Sequence, residues 1–368
     1  MIGNLLRRYV APVAVISVFY FGLLVYPVLR IWYLLLPPPG TTILLIIMVG
    51  PLALRMAAEA IPGTIGRSLS AIALTWLGVC FLAFTVVVCW EIAHLVLPLT
   101  PRLWGGLLCL IVAVLALYAM YNAQRLTTAD VDIEVPPTAP QSVVGLRLAQ
   151  VSDVHIGSRQ PGFLRRVVAS VNEAQPDQVL ITGDLIDFRG ITESELACLG
   201  TFNAPATFII GNHERYVDLE AICQRLRNLG ITVLRNESIV AGDLQIIGID
   251  DADARDQVPK HLSNLQPLAD RYRILLYHRP DGAEAADAWG AQLMLCGHTH
   301  NGQILPFNLL VRRIFPRILG RYQIGQMILY VSPGTGTWGP VLRLGSRCEI
   351  SMICLQASAN PSEHRSPQ

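Results

Sequence analysis

The stretch QLMLCGHTH, Gln292–His300, combines a short apolar run with a glycine and two histidines one residue apart. An apolar run of this length that ends at a glycine is typical of a buried β-strand. His298 and His300 follow directly, at the place where open α/β sheets bind their ligands. One such pair does not define a site, so the question is whether other strands of the chain end in the same way.

Four earlier apolar runs do end in Asp, Asn or His. The runs Leu146–Val151, Gln178–Thr182, Thr207–Ile210 and Arg273–Tyr277 lead, in that order, into Ser152-Asp153-Val154-His155, Gly183-Asp184-Leu185-Ile186-Asp187, Gly211-Asn212-His213-Glu214 and His278. Helix-like stretches such as Phe163–Ala174 and Leu219–Leu229 alternate with these runs, which predicts an α/β domain. Five of the six histidines between residues 141 and 355 follow the five predicted strands. We therefore expect a metal site at the carboxyl ends of these strands.

Spacing and residue types indicate how such a site is built. In extended backbone, residues i and i+2 point the same way. Asp153 with His155, and His298 with His300, are therefore each expected to offer two ligands to a common centre. Carboxylate, amide and imidazole ligands without thiolate favour Mn, Fe or Zn over an all-oxygen Mg or Ca site. His261 has no such context, and we interpret it as a surface histidine.

The composition changes near residue 124. Residues 1–124 carry six arginines and two acidic residues, whereas residues 125–368 carry 22 basic and 25 acidic residues. About 20 apolar residues cross a bilayer as a helix, and four such spans are predicted at Val10–Leu29, Thr41–Ala58, Ala71–Val96 and Leu103–Tyr121. We interpret residues 1–124 as a membrane domain and 125–141 as a linker with a first strand at Val131–Val135. Residues 142–355 are then the α/β domain, and residues 356–368 a disordered tail.

Arginines in the short loops predict the orientation of the spans. With the N-terminus inside, the cytoplasmic side holds Arg7, Arg8, Arg55, Arg67 and Arg125, and the outside holds Arg30 and Arg102. Four spans then place the α/β domain in the cytoplasm. The pair Arg7-Arg8 leaves a twin-arginine export signal as the alternative, but no small-residue cleavage site is evident and further spans follow.

Several classes of function are disfavoured. The slightly negative balance of residues 125–368 argues against nucleic acid as a partner, which favours a basic face. Eight cysteines without CxxC spacing predict free thiols, neither a disulfide framework nor a thiolate zinc site. Neither GxxxxGK[ST] nor GxSxG occurs, so a P-loop and a nucleophilic serine elbow are not expected.

With its motifs in this order, the sequence resembles the calcineurin-like metallophosphoesterases, and among them the bacterial membrane-anchored branch. The family motifs are DxH, GDxxD, GNH followed by an acid, a single His, and GHxH, and all five occur here between residues 128 and 355. The stretch Pro333–Pro340 also resembles that branch, whereas Asn301 stands where the branch often has a glycine. The resemblance implies an αββα sandwich of two packed sheets, in a protein of the bacterial inner membrane.

The resemblance also implies roles for individual residues. One metal would be held by Asp153, His155, Asp184 and His300, and a second by Asp184, Asn212, His278 and His298. His213 would lie beside the phosphate, where it stabilises the transition state or protonates the leaving oxygen. Asp187 and Glu214 would orient these groups. The implied reaction is phosphoester hydrolysis with two divalent ions, Mn, Fe or Zn.

The substrate is less well indicated. Residues 304–321 are apolar and basic and contain no acid. We expect a lid that enters the membrane interface; the alternative is a loop that packs its apolar residues on the domain. The lid favours a phosphodiester or pyrophosphate in the membrane, such as a phospholipid or a nucleotide-linked lipid. Arg343 is either a contact for an anionic substrate or an ordinary surface arginine. A soluble substrate such as a cyclic nucleotide, and a non-catalytic metal-binding membrane sensor, stay open as alternatives.

Overall fold

The chain forms two compact units in a computed structural model that describes residues 11–97, 100–252 and 254–357. The helical unit contains the described residues up to Ala123 together with Gly339–Leu344. The α/β unit contains Gln124–Trp338 and the described residues from Gly345 onward. One short segment late in the chain, Gly339–Leu344, therefore belongs to the helical unit. The sequence did not indicate this.

The helical unit is built from four long apolar helices in its described residues. They are α1 (Ala11–Tyr20 and Tyr26–Leu35, joined by a π-helical turn at Phe21–Val25), α2 (Thr41–Ala60), α3 (Gly63–His94) and α4 (Pro101–Gln124). By length and composition each can cross a membrane. Four long apolar helices thus lie where the four spans were predicted. They extend beyond the predicted bounds: α3 begins at Gly63 and not at Ala71.

Charged side chains in the helical unit meet partners of opposite charge. Arg30 Nε of α1 lies 2.7 Å from Glu91 Oε1 of α3, and the Tyr26 hydroxyl donates to the same carboxylate. Within α2, Arg55 Nη2 lies 2.7 Å from Glu59 Oε1. A charge that is paired in this way costs less to place in an apolar helix. Arg30, which we expected in a loop, lies inside α1, where it pairs with Glu91.

The late segment Gly339–Leu344 belongs to the helical unit through backbone contacts. Val341 N donates to Thr75 Oγ1 of α3 at 3.4 Å. Arg343 N donates to the Ala119 carbonyl of α4 at 3.0 Å. The segment thus forms hydrogen bonds to two of the four helices.

The α/β unit contains two six-stranded sheets. The first has the strand order β1-β12-β2-β3-β4-β5 and the second β10-β11-β9-β8-β7-β6. Their strands are β1 (Leu126–Val135), β2 (Arg147–Val151), β3 (Gln178–Thr182), β4 (Ala206–Ile209), β5 (Thr232–Val233), β6 (Glu237–Ala241), β7 (Leu244–Gly248), β8 (Tyr272–Leu276), β9 (Leu293–Cys296), β10 (Gly320–Ile324), β11 (Met327–Val331) and β12 (Cys348–Ala357). The α-helices between them are α5 (Pro161–Glu173), α6 (Glu193–Leu196), α7 (Leu219–Asn228), α8 (Gln257–Leu262), α9 (Ala283–Trp289) and α10 (Phe307–Ile314).

The two sheets pack face to face with helices outside. One buried cluster joins inward-facing residues of both sheets: Leu148, Leu180 and Ile209 of the first, and Ile246, Ile274 and Leu295 of the second. A second cluster joins the first sheet to α5 and α7, and a third joins the second sheet to α8 and α9. This arrangement confirms the expected αββα sandwich.

Local sequence patterns located the motif-bearing strands accurately. The bounds of β2, β3, β4, β8 and β9 lie within one residue of those expected. The strand expected in the linker is longer than Val131–Val135, because β1 begins at Leu126 and pairs along its whole length with β12. Of the expected disordered tail, residues 356 and 357 belong to β12, and residues 358–368 lie outside the described part of the chain.

Candidate metal centre

Histidine and aspartate side chains that follow five strands meet at one place. These strands are parallel within each sheet: β2, β3 and β4 in the first, β8 and β9 in the second. The side chains form three groups of ligand atoms close enough together to hold a metal ion. Two of them, called the two sets below, are Asp153 with His155 and His300, and Asp184 with His278 and His298. The third, His155 with Asp187 and His213, shares His155 with the first set. In each set the ligand atoms lie within 4.8 Å of one another. Each set draws on both sheets, so the sandwich itself assembles the centre.

The two sets adjoin through Asp184. Its Oδ2 lies 3.0 Å from His278 Nε2 and 3.9 Å from His155 Nε2, so this carboxylate faces both sets. In the other set, Asp153 Oδ1 lies 3.3 Å from His300 Nε2. His155 Nε2 and His300 Nε2 are 3.0 Å apart. Asp184 therefore lies between the two sets.

The loops that carry these residues are not extended. Among the described non-glycine residues with positive φ are five of the six set members: Asp153, His155, Asp184, His298 and His300, with φ between 49° and 71°. The left-handed region is uncommon for non-glycine residues and concentrates at functional sites. Our expectation that each DxH or HxH pair converges through extended backbone is therefore wrong. The pairs converge because tight left-handed turns follow the strands.

Two motif glycines allow the carboxylates to lie against neighbouring backbone. A Cβ on Gly211 would lie 2.2 Å from Asp184 Oδ1, and one on Gly297 would lie 2.2 Å from Asp153 Oδ2. Such separations are far below any van der Waals contact, so a side chain at either position would displace a ligand. The glycines of GNH and GHxH are thus required for close approach.

Hydrogen bonds fix the direction of the ligand atoms. His278 Nδ1 lies 2.8 Å from the Thr182 carbonyl, to which it donates as assigned from this partner, and Nε2 is left to face Asp184. Asp153 accepts the His298 backbone N–H at 3.0 Å and the Ser152 hydroxyl at 2.5 Å. These partners hold both side chains in place. The bond to Thr182 leaves His278 Nε2 to face the centre, whereas Asp153 Oδ1, which faces His300, also accepts the His298 N–H.

The electrostatics favour added positive charge. Burial alone would lower the pKa of His278, but the carboxylates of Asp184 and Asp153 raise it to about 10. Burial alone would raise the pKa of Asp184, but His278 and His155 hold it well below the usual range. Burial, together with His278, lowers the pKa of His298 to about 3, which keeps that imidazole neutral and able to coordinate.

Asn212 supplies a further test of the fit to a metal. Its side-chain Oδ1 is buried and has no hydrogen-bond partner in the described part of the chain. An orphaned buried oxygen is costly unless a ligand satisfies it. Together with the carboxylates and imidazoles, this oxygen fits divalent metal ions, and we find the residues present suited to hold them.

Comparisons with known proteins agree with this centre. The family model of the calcineurin-like phosphoesterases matches residues 146–302. Over 295 residues the chain is 30% identical to an uncharacterized metallophosphoesterase of Campylobacter jejuni, which covers 74% of this chain and 78% of that protein. The chain belongs to the calcineurin-like metallophosphoesterase family. It is also 35% identical over 269 residues to a transmembrane protein with metallophosphoesterase domain from Danio rerio, with 67% of this chain and 61% of that protein covered.

The similarity to these metallophosphoesterases covers only part of their length. The chain spans about three fifths of the Danio rerio protein, 61% of its length. Among solved structures, a dimetal phosphatase from Danio rerio is 12% identical, with a TM-score of 0.31, 52% of this chain covered and 88% of that chain.

His213 lies beside the two sets of this metallophosphoesterase and differs from their members. Its Nε2 is 3.9 Å from Asp184 Oδ2, and its side chain is 20% exposed, whereas that of Asp184 is 3% exposed. Its backbone N–H donates to Asp184 Oδ1 at 2.9 Å. Burial lowers the pKa of His213, so the neutral imidazole is favoured. The structure thus places this histidine at the solvent side of the centre.

Glu214 and Asp187 stand behind the sets. Glu214 is buried and accepts backbone N–H groups of Asp184, Ile186 and Gly211 at 2.8–3.0 Å, which joins the loops after β3 and β4. Asp187 Oδ2 lies 3.5 Å from His155 Nδ1, so the Nε2 of that histidine points to its set. Their positions are those expected of groups that orient ligands.

Arg343 belongs to the helical unit, and its side chain is fully buried. A fully buried guanidinium does not contact a substrate in this conformation, and it is not a surface arginine either. Neither interpretation of Arg343 from the sequence agrees with its burial.

Asp251 is a buried carboxylate that the sequence motifs did not indicate. This carboxylate follows β7, is 1% exposed, and has Oδ2 2.8 Å from Arg279 Nε. Its negative charge contributes to the raised pKa of His278. A sequence signal for Asp251 was present, because the mostly apolar run Leu244–Ile249 is followed by Asp250 and Asp251. It was missed because β7 was not predicted as a strand.

Two exposed aromatic rings flank His213. Trp338 is 51% exposed and Tyr216 is 59% exposed, and their ring centroids lie 6.2 and 6.3 Å from that of His213. Gln303 holds the Trp338 backbone from both sides: its Oε1 accepts the Trp338 N–H and its Nε2 donates to the Trp338 carbonyl. These residues border the mouth of the centre, and no local sequence pattern indicates that they meet.

Proposed function

We propose that the chain is a membrane-anchored, dinuclear metal-dependent phosphoesterase that hydrolyses a phosphodiester or pyrophosphate bond. The observation that carries this proposal is Asp184, whose carboxylate faces two adjoining sets of ligand atoms while His213 lies beside it at the open side. A non-catalytic sensor needs a bound metal but has no use for a solvent-facing histidine next to it.

In this proposal some residues bind the metal ions and others orient these ligands. Asp153, His155, Asp184 and His300 would hold one divalent ion, and Asp184, Asn212, His278 and His298 the other, with Mn, Fe or Zn favoured by the ligand types. When bound, two such ions lower the pKa of a water and neutralise charge on the phosphoryl oxygens. Glu214 and Asp187 keep the ligands in register.

His213 acts on the substrate directly in this scheme. Because burial lowers its pKa, its neutral Nε2–H can donate a hydrogen bond to a phosphoryl or leaving-group oxygen. A donor aimed at an oxygen that gains charge in the transition state stabilises that state more than the substrate. The backbone bond from His213 N to Asp184 Oδ1 holds it in position.

The test uses the full chain in detergent with Mn²⁺ supplied. Metal content is measured by mass spectrometry, and hydrolysis is assayed with bis(p-nitrophenyl) phosphate. We expect two metal ions per chain and hydrolysis that stops on chelation and returns with Mn²⁺. Fewer than two ions per chain, or chelator-resistant hydrolysis, would refute the mechanism.

We further propose that the substrate lies in or at the membrane, as a phospholipid or nucleotide-linked lipid does. The four helices able to cross a membrane and the apolar, basic segment after the last motif support this choice over a soluble substrate. Phospholipid and nucleotide-linked lipid substrates in mixed micelles, compared with a cyclic nucleotide, distinguish the two. Faster turnover of the cyclic nucleotide would favour the soluble alternative.

For location, we propose a bacterial inner membrane with the α/β unit in the cytoplasm. The excess of arginine near the helix ends expected on the cytoplasmic side supports this orientation; of these arginines, Arg55 lies within α2 and Arg67 within α3. Arg7 and Arg8, on which the orientation partly depends, lie outside the described residues. A reporter fused after Gln368 tests it. Activity of a reporter that works only outside the cytoplasm would reverse the orientation.

A further inference from the structure

Helix α10, Phe307–Ile314, exposes an apolar face. Phe307, Leu310 and Ile314 are 38%, 54% and 51% exposed. Their spacing of three and four residues places them on one side of a helix. None of the eight residues of α10 is buried. The alternative from the sequence, a loop that packs its apolar residues on the domain, therefore does not describe this helix.

Basic residues accompany this apolar face. Arg312 and Arg313 occupy the last turn of α10, and both are exposed. Residues 304–321 contain no acidic residue. A short helix with an apolar face and adjacent arginines has the composition of segments that lie in the interface of an anionic bilayer.

The chain itself favours a lipid surface over a second copy of the chain as the partner. It carries four helices able to cross a membrane by length and composition. A second copy of α10 offers no acidic group to Arg312 and Arg313, whereas phospholipid phosphates do.

The helix is joined to the metal centre at both ends. It begins shortly after His300, and Gly302 lies against Asn308, where an added Cβ would come within 2.3 Å of the Asn308 Cα. Beyond its end, the Phe315 ring lies 5.1 Å from the His298 ring, edge to face. The Thr299 hydroxyl donates to the Ile318 carbonyl at 2.6 Å. A surface that α10 contacts would therefore lie next to the metal centre.

We propose that α10 docks on the anionic bilayer surface. Phe307, Leu310 and Ile314 enter the interface, and Arg312 and Arg313 pair with lipid phosphates. Docking places the mouth of the metal centre at the level of the lipid headgroups. This consequence for substrate access rests on the proposed function, whereas the docking itself does not.

The experiment uses the full chain reconstituted in vesicles of phosphatidylcholine, with or without phosphatidylglycerol. The photoreactive residue p-benzoylphenylalanine replaces Leu310, and in a matched control it replaces Val240 of β6, which is 54% exposed in the same unit. Adducts are identified by mass spectrometry after illumination. We expect lipid adducts at position 310, several-fold more abundant with phosphatidylglycerol, and few at position 240.

A second variant tests the charges. R312E/R313E is combined with the probe at position 310, and thermal unfolding verifies that the fold is retained. Because each basic residue near an anionic surface contributes about fivefold to binding, loss of two should lower the lipid adducts by roughly 25-fold. Equal adducts at positions 240 and 310, adducts to a second copy of the chain, or adducts that ignore the charge reversal would each overturn the proposal.

Hydrolysis of bis(p-nitrophenyl) phosphate by the unmodified chain in detergent is a separate measurement. It requires no bilayer, so it tests the proposed function alone. Lipid adducts without hydrolysis would leave α10 as a membrane-docking helix of a non-catalytic protein, and hydrolysis without lipid adducts would remove the docking proposal alone.

Discussion

The floor and the mouth of the metal centre are built in opposite ways. On the floor, Asp153, Asp184 and His278 are buried. Each carboxylate accepts a backbone N–H of another loop, and His278 donates to the Thr182 carbonyl at the end of β3. At the mouth, Trp338 and Tyr216 are more than half exposed. A buried, fully oriented group has one arrangement, whereas an exposed ring adapts to what it meets. We infer that the floor determines the reaction and the mouth determines which substrate enters.

The largest effect is expected from the residue that faces both ligand sets. Asp184→Asn removes one negative charge from both, so both metals should bind weakly. Hydrolysis should fall by roughly 10⁴-fold, because metal catalysis supplies several kcal/mol and each 1.36 kcal/mol is tenfold in rate. Metal content and initial rates are the measurements. Asp270→Asn, on an exposed side chain, is the matched control, and a similar loss there would show that the effect is not specific.

A smaller loss is expected for His213, which lies between floor and mouth. His213→Ala should keep both metals and lower kcat by about 10²–10³-fold, as removal of one transition-state donor does. Metal analysis and steady-state kinetics of the same sample separate the two effects. The control is His261→Ala, at a histidine outside both ligand sets. Loss of metal in His213→Ala would show that His213 helps to bind the metal ions, as the residues of the floor do.

The next effect concerns a residue that supports the floor without facing the substrate. Glu214→Gln leaves one acceptor oxygen where two accept three backbone N–H groups. Metal affinity or activity should fall by about 10–100-fold, as for other partners of metal ligands. Raised Mn²⁺ should restore part of the activity. If extra Mn²⁺ restores nothing although the protein stays folded, Glu214 has a role other than orienting ligands.

The smallest effect is expected at the mouth. Trp338→Ala removes an exposed ring from the neighbourhood of His213 and should raise KM about fivefold for a substrate that contacts the ring, since such a contact contributes about 1 kcal/mol. For a small ester the change should be negligible, and kcat should stay the same. A fall in kcat with every substrate would break the division between floor and mouth.

The sequence allowed much of the α/β unit to be predicted. The five motif-bearing strands lie within one residue of their expected bounds because apolar runs that stop at glycine or a polar residue are local signals. The extent of β1 was underestimated, since its partner β12 lies more than 200 residues away. Asp251 was missed for a similar reason: its relevance depends on the packing of β7 beside β8.

Other predictions failed where local geometry or burial decided the outcome. The ligand pairs were expected in extended backbone, yet both members of each pair are left-handed. That conformation is unfavourable for single residues and persists only because the surrounding loops and hydrogen bonds enforce it. Arg343, considered as a substrate contact, is buried with the helical unit, which no feature of its neighbourhood in the sequence indicated.

By itself, the sequence determined the chemistry available to this protein: four apolar helices, five strands that each end in Asp, Asn or His, and a basic, apolar segment after the last motif. These follow from residue type and short-range spacing, which are fully present in the chain. The tertiary structure alone decided which side chains share a ligand set, that Asp184 faces both, and that the apolar face of α10 stays exposed. Each of these depends on contacts between segments far apart in sequence, and such contacts exist only once the two sheets have packed.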